Sequence, residues 1–150
     1  MKRWLALSAL VVALDQAAKF AIARLFLRGE GVEVAPFFNL VLTYNRGAAF
    51  SFLADASGWQ RGFFIALALA AAALIVWLLR RHTDQPPFCL ALALILGGAV
   101  GNLIDRALTG EVVDFLDFHA FGWHWPAFNL ADSAVTCGAA LLIWDGLRRK

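Results

Sequence analysis

Four long apolar runs, separated by shorter polar stretches, organise the chain: residues 4–27, 62–79, 88–104 and 127–147. Each approaches the roughly 20 residues that a helix, rising about 1.5 Å per residue, needs to cross a hydrocarbon core about 30 Å thick. Between the first two runs the periodicity changes. Val32-Glu33-Val34 alternates, and residues 37–44 (Phe-Phe-Asn-Leu-Val-Leu-Thr-Tyr) are rich in strand-forming side chains, as is Val112-Val113-Asp114-Phe115-Leu116 between the last two. The pattern predicts a membrane all-α protein with a small β segment: four transmembrane helices in one domain over residues 1–150. An open sheet edge cannot face lipid, so the strands would form a small sheet resting on the membrane surface.

Composition agrees. With 61% hydrophobic and only 16% charged residues among 150, and a mean hydropathy of +0.70, an ordinary soluble domain is excluded. Lys2-Arg3, Arg80-Arg81 and Arg148-Arg149-Lys150 flank the runs, and with four spans all three clusters fall on one side. By the positive-inside rule both termini are cytoplasmic, and residues of about 28–61 and 105–126 lie outside. The net charge of +2 is thus a topology signal; Arg28, Arg46, Arg61 and Arg106 are scattered and form no nucleic-acid patch. Trp4, Trp59, Trp123 and Trp125 near the span ends suit an interface. Met1-Lys2-Arg3 followed by an apolar run also resembles a secretory signal, with Ala21-Ile22-Ala23 as a cleavage site. Asp15 and Lys19 interrupt that pattern while the apolar run resumes to Leu27, so a retained first span is expected. Cys89 and Cys137 lie inside spans and read as small core residues.

Charges within the spans call for an explanation, since a carboxylate at mid-helix costs about 2.5–3.5 kcal/mol on the insertion scale. Asp15 and Lys19, one turn apart, can pair on one helix face. The third span ends Gly97-Gly98-Ala99-Val100-Gly101-Asn102-Leu103-Ile104-Asp105-Arg106: small residues permit close packing, and Asn102 and Asp105 share a face. In the fourth, Asp132 lies five residues from the expected start, about 8 Å along the helix. Asp105, Asp114, Asp117 and Asp132, with Asn45, Arg46, Asn102, Arg106 and Asn129, therefore map to one leaflet. Gly47 and the small residues after it, up to Ser51, would let a backbone approach. Two carboxylates held close share a proton, one acting as acid and one as base, and such a pair can activate water for amide hydrolysis. Spacing leaves both Asp114 with Asp132 and Asp105 with Asp132 open. A metal at His119 and His124 would need a third ligand and an oriented outer shell, for which the aromatic stretch 118–126 makes no case. Ser51 and Ser133 have no evident base. A small transporter lined by Asp15, Lys19 and Asp105 is the rival from another class, and a noncatalytic scaffold a third reading; clustering of the carboxylates at one face favours neither.

Asp15-Gln16-Ala17-Ala18-Lys19, Asn45-Arg46-Gly47-Ala48-Ala49-Phe50-Ser51, Gly101-Asn102-Leu103-Ile104-Asp105-Arg106, Val112-Val113-Asp114-Phe115 and Phe128-Asn129-Leu130-Ala131-Asp132, in this order and topology, resemble the bacterial lipoprotein signal peptidases, or type II signal peptidases. The resemblance covers essentially the whole chain. It implies an aspartic endopeptidase of the cytoplasmic (inner) membrane, active site facing outward, that removes the signal peptide of a prolipoprotein just before its diacylglyceryl-modified cysteine. It further implies Asp114 and Asp132 as the catalytic dyad, with Asn45, Arg46, Gly47, Asn102, Asp105, Arg106 and Asn129 supporting the site or binding substrate, and Asp15 and Lys19 as structural polar residues. No metal or cofactor is implied, inhibition by cyclic peptides of the globomycin type is, and a monomer is expected. Ala18, where many members carry Ser or Thr, departs from the pattern and puts one local hydrogen bond in doubt.

Overall fold

In a computed structural model, which describes residues 1–47 and 57–148, four helices of membrane-span length carry a small antiparallel sheet at one end. Ala48 to Ser51 of the Asn45–Ser51 loop, and the terminal Arg149 and Lys150, lie outside the described residues. The helices are α1 (Lys2–Leu25), α2 (Trp59–Arg81), α3 (Pro86–Leu108) and α4 (Leu130–Arg148), and the strands are β1 (Gly31–Ala35), β2 (Phe38–Asn45), β3 (Val112–Ala120) and β4 (Trp123–His124). The basic residues Lys2, Arg3, Arg80, Arg81 and Arg148 sit at the opposite helix ends from the sheet.

Local chemistry sets the boundaries. Tandem prolines Pro86 and Pro87 open α3, where no N–H partner is needed. The helix stops at Thr109-Gly110: Gly110 takes φ +84° and its N–H returns to the Arg106 carbonyl at 3.2 Å, the left-handed C-terminal motif. Arg61 of α2 donates to the same Arg106 carbonyl and to that of Ala107, at 2.9 Å each. That clamp ties the start of α2 to the end of α3.

α3 packs against the other three helices, and its glycines make this possible. A Cβ on Gly97 would come within 2.7 Å of Val11, one on Gly98 would overlap the Ala131 carbonyl, and one on Gly101 would lie 2.7 Å from the Asp15 carboxylate. Gly138 does the same service from α4, against Ile95 and Ala91. Ile75, Leu79, Cys89, Leu92 and Leu96 form one buried cluster between α2 and α3. A second, of Ile22, Leu42 and Phe115, seats the sheet on the end of α1. The outward faces carry exposed Leu, Phe and Trp, such as Leu10, Leu14, Leu67 and Leu74, as a lipid-facing surface should.

The sheet runs β1-β2-β3-β4, with Thr43 opposite Asp114 and Leu40 opposite Leu116, and a register shift between them. Three expectations need correction. The aromatic stretch 118–126, for which no strand is expected from sequence, instead continues β3 to Ala120 and returns as β4. Its two-residue turn, Phe121-Gly122, has both φ values positive, +52° and +79°, the type I′ pattern that matches strand twist. The fourth helix begins at Leu130 rather than near 127, because Phe128 is held in the sheet, exchanging backbone hydrogen bonds with Leu116 at 2.9 and 3.1 Å. Asp132 is consequently in the first turn of α4 and not five residues along it. Cys137 is exposed on α4 rather than packed in the core, whereas Cys89 is buried, its thiol donating to the His82 carbonyl at 2.9 Å.

Candidate active site

The site lies where the C-terminal ends of α1 and α3, the N-terminus of α4 and the first half of β3 meet. Its foundation is a buried charge cluster. Lys19 donates to Asp15 Oδ2 and Asp105 Oδ2, both at 2.8 Å, and to Asn102 Oδ1 at 2.9 Å. An ammonium has three donors, so all three are used, and the lysine side chain is only 4% exposed. The carboxylates are completed by amides: Gln16 Nε2 donates to Asp105 Oδ1 at 2.8 Å and contacts Asp15 Oδ2 and the Gly101 carbonyl. Such saturation is what allows charges to be removed from solvent.

The same cluster positions the neighbouring elements. Asp15 Oδ1 accepts from the Ala131 N–H at 2.9 Å, meeting the unpaired first turn of α4. A carboxylate there is also favoured by the helix dipole. Asp105 Oδ2 accepts from the Val113 N–H at 3.2 Å and fixes the backbone one residue before Asp114.

Asn129, fully buried, is the centre of the arrangement. As the residue before α4 its Oδ1 accepts from the Asp132 N–H at 2.9 Å, while Asp132 Oδ2 accepts from the Asn129 N–H at 3.3 Å. This is a reciprocal capping box with Asp in the usual Glu position. The Asn129 amide nitrogen donates in the other direction, to Asp114 Oδ1 at 2.7 Å, Val113 O at 3.1 Å and Asn102 Oδ1 at 3.2 Å. Asn102 Nδ2 donates to Asp132 Oδ1 at 2.8 Å. Asn129 thus bonds both Asp114 and Asp132, and Asn102 joins it in holding Asp132.

Asp114 is 3% exposed. Burial first, and then the charge of Asp132, pushes its carboxyl up to about 7, against opposing hydrogen bonds from Asn45 and Asn129. A carboxylic acid that keeps its proton near neutrality beside a second carboxylate is the electrostatic signature of an acid–base pair.

The other expected residues fall around this pair. Asn45 bonds Asp114 and accepts the Gly47 N–H at 2.8 Å. Arg106 donates to the Gly47 carbonyl at 2.7 Å, with its guanidinium 4.9 Å above the Phe64 ring. Arg46 is joined instead to Glu111, at 2.6 Å, which also meets Arg28; Arg46's hydrogen bond, more than the ion pairing, holds Glu111 below the usual carboxylate range. Ser133 donates to the Asn129 carbonyl at 3.0 Å. Asp117 stands apart from the pair. Although burial pushes it up, hydrogen bonds from His124 and from Asn39, at 2.9 and 2.8 Å, hold it below its usual value. His119 stacks on His124 with ring centres 4.8 Å apart. Among the described residues no group of three His, Cys, Asp or Glu side chains is arranged to hold a metal.

Gln16, Glu111 and Arg61 were not singled out by sequence reasoning. An amide in an apolar span beside a charged residue was the signal for Gln16; Glu111 and Arg61 carried none, because their roles depend on which helix ends meet.

Comparison with known proteins shows the family. The family model described as signal peptidase (SPase) II matches residues 7–148. The lipoprotein signal peptidase of Paraburkholderia phymatum is 64% identical over 146 residues, covering 97% of this chain and 88% of that protein. That of a Janthinobacterium species is 60% identical, covering 99% and 90%. Two solved structures, each described as a bacterial membrane enzyme, superpose with TM-scores of 0.89 and 0.88 at 35% and 36% identity. They cover 99% and 100% of this chain and 89% and 96% of theirs. Matched along nearly its full length in sequence and in fold, the chain belongs to the signal peptidase II family, the lipoprotein signal peptidases.

Proposed function

We propose that Asp114 and Asp132 are the catalytic dyad with which this lipoprotein signal peptidase hydrolyses the peptide bond before the diacylglyceryl-modified cysteine of a prolipoprotein. The observation that carries the assignment is that one buried residue, Asn129, hydrogen-bonds both carboxylates, at 2.7 and 3.3 Å. Common support by one residue, with the charge of Asp132 raising the carboxyl of Asp114, supports a pair that shares one proton. Asp105, the alternative partner of Asp132, is taken up by Lys19, Gln16 and the Val113 N–H, which leaves it little capacity to handle water.

In this mechanism ionised Asp132 removes a proton from a water molecule, and that water attacks the scissile carbonyl carbon. Asp114 holds the shared proton and donates a hydrogen bond to the carbonyl oxygen as negative charge develops there. Collapse of the tetrahedral intermediate breaks the C–N bond, and the proton taken by Asp132 passes to the leaving amine of the lipidated cysteine. The two groups titrate as a coupled pair. Asn45, Asn102 and Asn129 orient the carboxylates, Lys19 lends positive charge to both, and Arg106 with Gly47 and Arg46 borders the entrance through which substrate backbone arrives.

The basic residues at the far helix ends support an orientation with both termini in the cytoplasm and the dyad on the extracytoplasmic side of the inner membrane. Residues 1–150 act there as one peptidase domain and as a monomer. Cyclic peptides of the globomycin type would compete for the same site.

The test is cleavage of a diacylglyceryl-modified prolipoprotein by detergent-purified protein in the presence of EDTA, with Asp114→Asn and Asp132→Asn in parallel. Cleavage by the wild type and loss in both well-folded variants is expected. Substantial activity in either variant removes that residue from the dyad, and sensitivity to EDTA would replace the aspartic mechanism with a metal-dependent one.

A further inference from the structure

The end of the β3–β4 hairpin, from Phe118 onward, carries none of the residues assigned to the site. From Phe118 to Phe128 the chain contains no Asp, Glu, Lys or Arg, in contrast to the β1–β2 arm with its Glu30 and Glu33. Phe121 at the turn is fully exposed, and Trp123, Trp125, Phe118 and, from the neighbouring strand connection, Phe37 are each at least 40% exposed. Phe37, Phe118, Trp123 and Trp125, with Phe128, border an open apolar groove of about 420 Å³.

Two features argue against water as the medium around this tip. An aromatic patch of this extent is rarely left facing solvent. The turn is also unusual: type I′ turns take Asn, Asp or Gly at the first central position, yet here Phe121 occupies the left-handed region, at φ +52°. A bulky residue there is a genuine outlier. Full exposure of that ring is unfavourable in water and becomes favourable if the ring enters an apolar phase.

Continuity identifies that phase. Trp125 leads through Pro126 and Ala127 to Phe128, which is paired to the sheet, and then directly into α4, whose first residue, Leu130, is itself exposed. The aromatic patch therefore adjoins the end of a membrane-spanning helix. Trp123 and Trp125 combine a large apolar ring with an N–H donor, the combination that favours the headgroup boundary. We infer that the β3–β4 hairpin is an interfacial anchor that inserts Phe121 and Trp123 into the boundary of the bilayer spanned by α1–α4, holding the sheet against the lipid surface beside the site.

The anchor is tested in the full chain reconstituted in vesicles of phosphatidylethanolamine and phosphatidylglycerol. Cys137→Ala removes the exposed thiol while Cys89 stays buried; a nitroxide is then attached at Phe121→Cys or, as a second site, Trp123→Cys. Collision with oxygen, which partitions into lipid, is compared with collision with a water-soluble nickel chelate. A label on native Cys137 supplies the lipid reference and one at Glu33→Cys the water reference. Labels at 121 and 123 are expected to favour oxygen over nickel several-fold more than the label at 33 does. Nickel-dominated collisions matching those at 33 would overturn the anchor. Low access to both, with dipolar broadening between labels, would overturn it in favour of contact between two copies.

Discussion

Asn129 performs two tasks that one substitution can separate. Its Oδ1 caps α4 through the Asp132 N–H, and its Nδ2 donates to Asp114 at 2.7 Å. Asn129→Ala removes both: a lost cap costs about 1 kcal/mol and a buried carboxyl oxygen left without its donor about 1–3 kcal/mol. Destabilisation of about 2–4 kcal/mol is the expected sum, with Asp114 left facing a void. Asn129→Asp retains an acceptor for the Asp132 N–H, and Asp caps as well as Asn, but it cannot donate to Asp114 unless it is itself protonated. The cap survives while the support of Asp114 is lost. If loss of that hydrogen bond costs about 1–3 kcal/mol in the transition state, kcat/KM falls about 5- to 150-fold, and the third carboxyl deepens the loss. Thermal unfolding in detergent and cleavage of the lipid-modified prolipoprotein give the two readouts on the same preparation. An Asn129→Asp enzyme with wild-type kcat/KM would refute the view that Asn129 orients the dyad.

Because Asp114 must keep its proton, kcat/KM should fall about tenfold per pH unit above about 7, the value to which burial and Asp132 push it, as a pH–rate profile would measure. The same shift affects stability: a carboxyl raised from an ordinary 3.8 to about 7 contributes stability that is full below about pH 4 and declines, by up to about 4 kcal/mol, as pH rises through 7. Asp114→Asn should flatten that slope in denaturation experiments. Lys19→Met leaves Asp15 and Asp105 as buried carboxylates without a cation and should cost about 3–5 kcal/mol in thermal unfolding. Gly98→Ala drives a methyl against the Ala131 carbonyl and should destabilise by about 1–3 kcal/mol, whereas Gly62→Ala, with open space around it, should be neutral or slightly stabilising.

The helices were legible because hydrophobicity over 20 residues is a bulk property, insensitive to detail. Their ends were not, because backbone pairing decides them. Nothing in Ala127-Phe128-Asn129 distinguishes a helix start from a strand until Leu116 exchanges hydrogen bonds with Phe128. Asn129-Leu130-Ala131-Asp132 does spell a capping box, and reading it as one would have started α4 at Leu130. The β3–β4 hairpin was hidden for a different reason: its turn uses Phe where Asn or Gly is the usual signal, and its alternation is masked by aromatics on both faces. Cys137 was misplaced because a lipid-facing position and a core position are equally apolar, so composition cannot separate them.

The site itself was readable further than its boundaries, and the reason is the cost of a polar group in lipid. Asp15, Lys19, Asn102, Asp105, Asn129 and Asp132 all belong to or abut spans, and in hydrocarbon each must find partners within the protein. Donors and acceptors on α1, α3 and α4 can satisfy one another only if those helices bring them to one level, so their presence forces convergence before any distance is known. What the forcing does not choose is the pairing. Lys19 has three hydrogens, and once Asp15, Asp105 and Asn102 occupy them, Asp132 must turn to the amides of Asn102 and Asn129. The lysine therefore sorts the carboxylates: those that it neutralises are taken up in structure, and those left to asparagines, which donate without adding charge, are the ones that the proposed mechanism needs to exchange a proton.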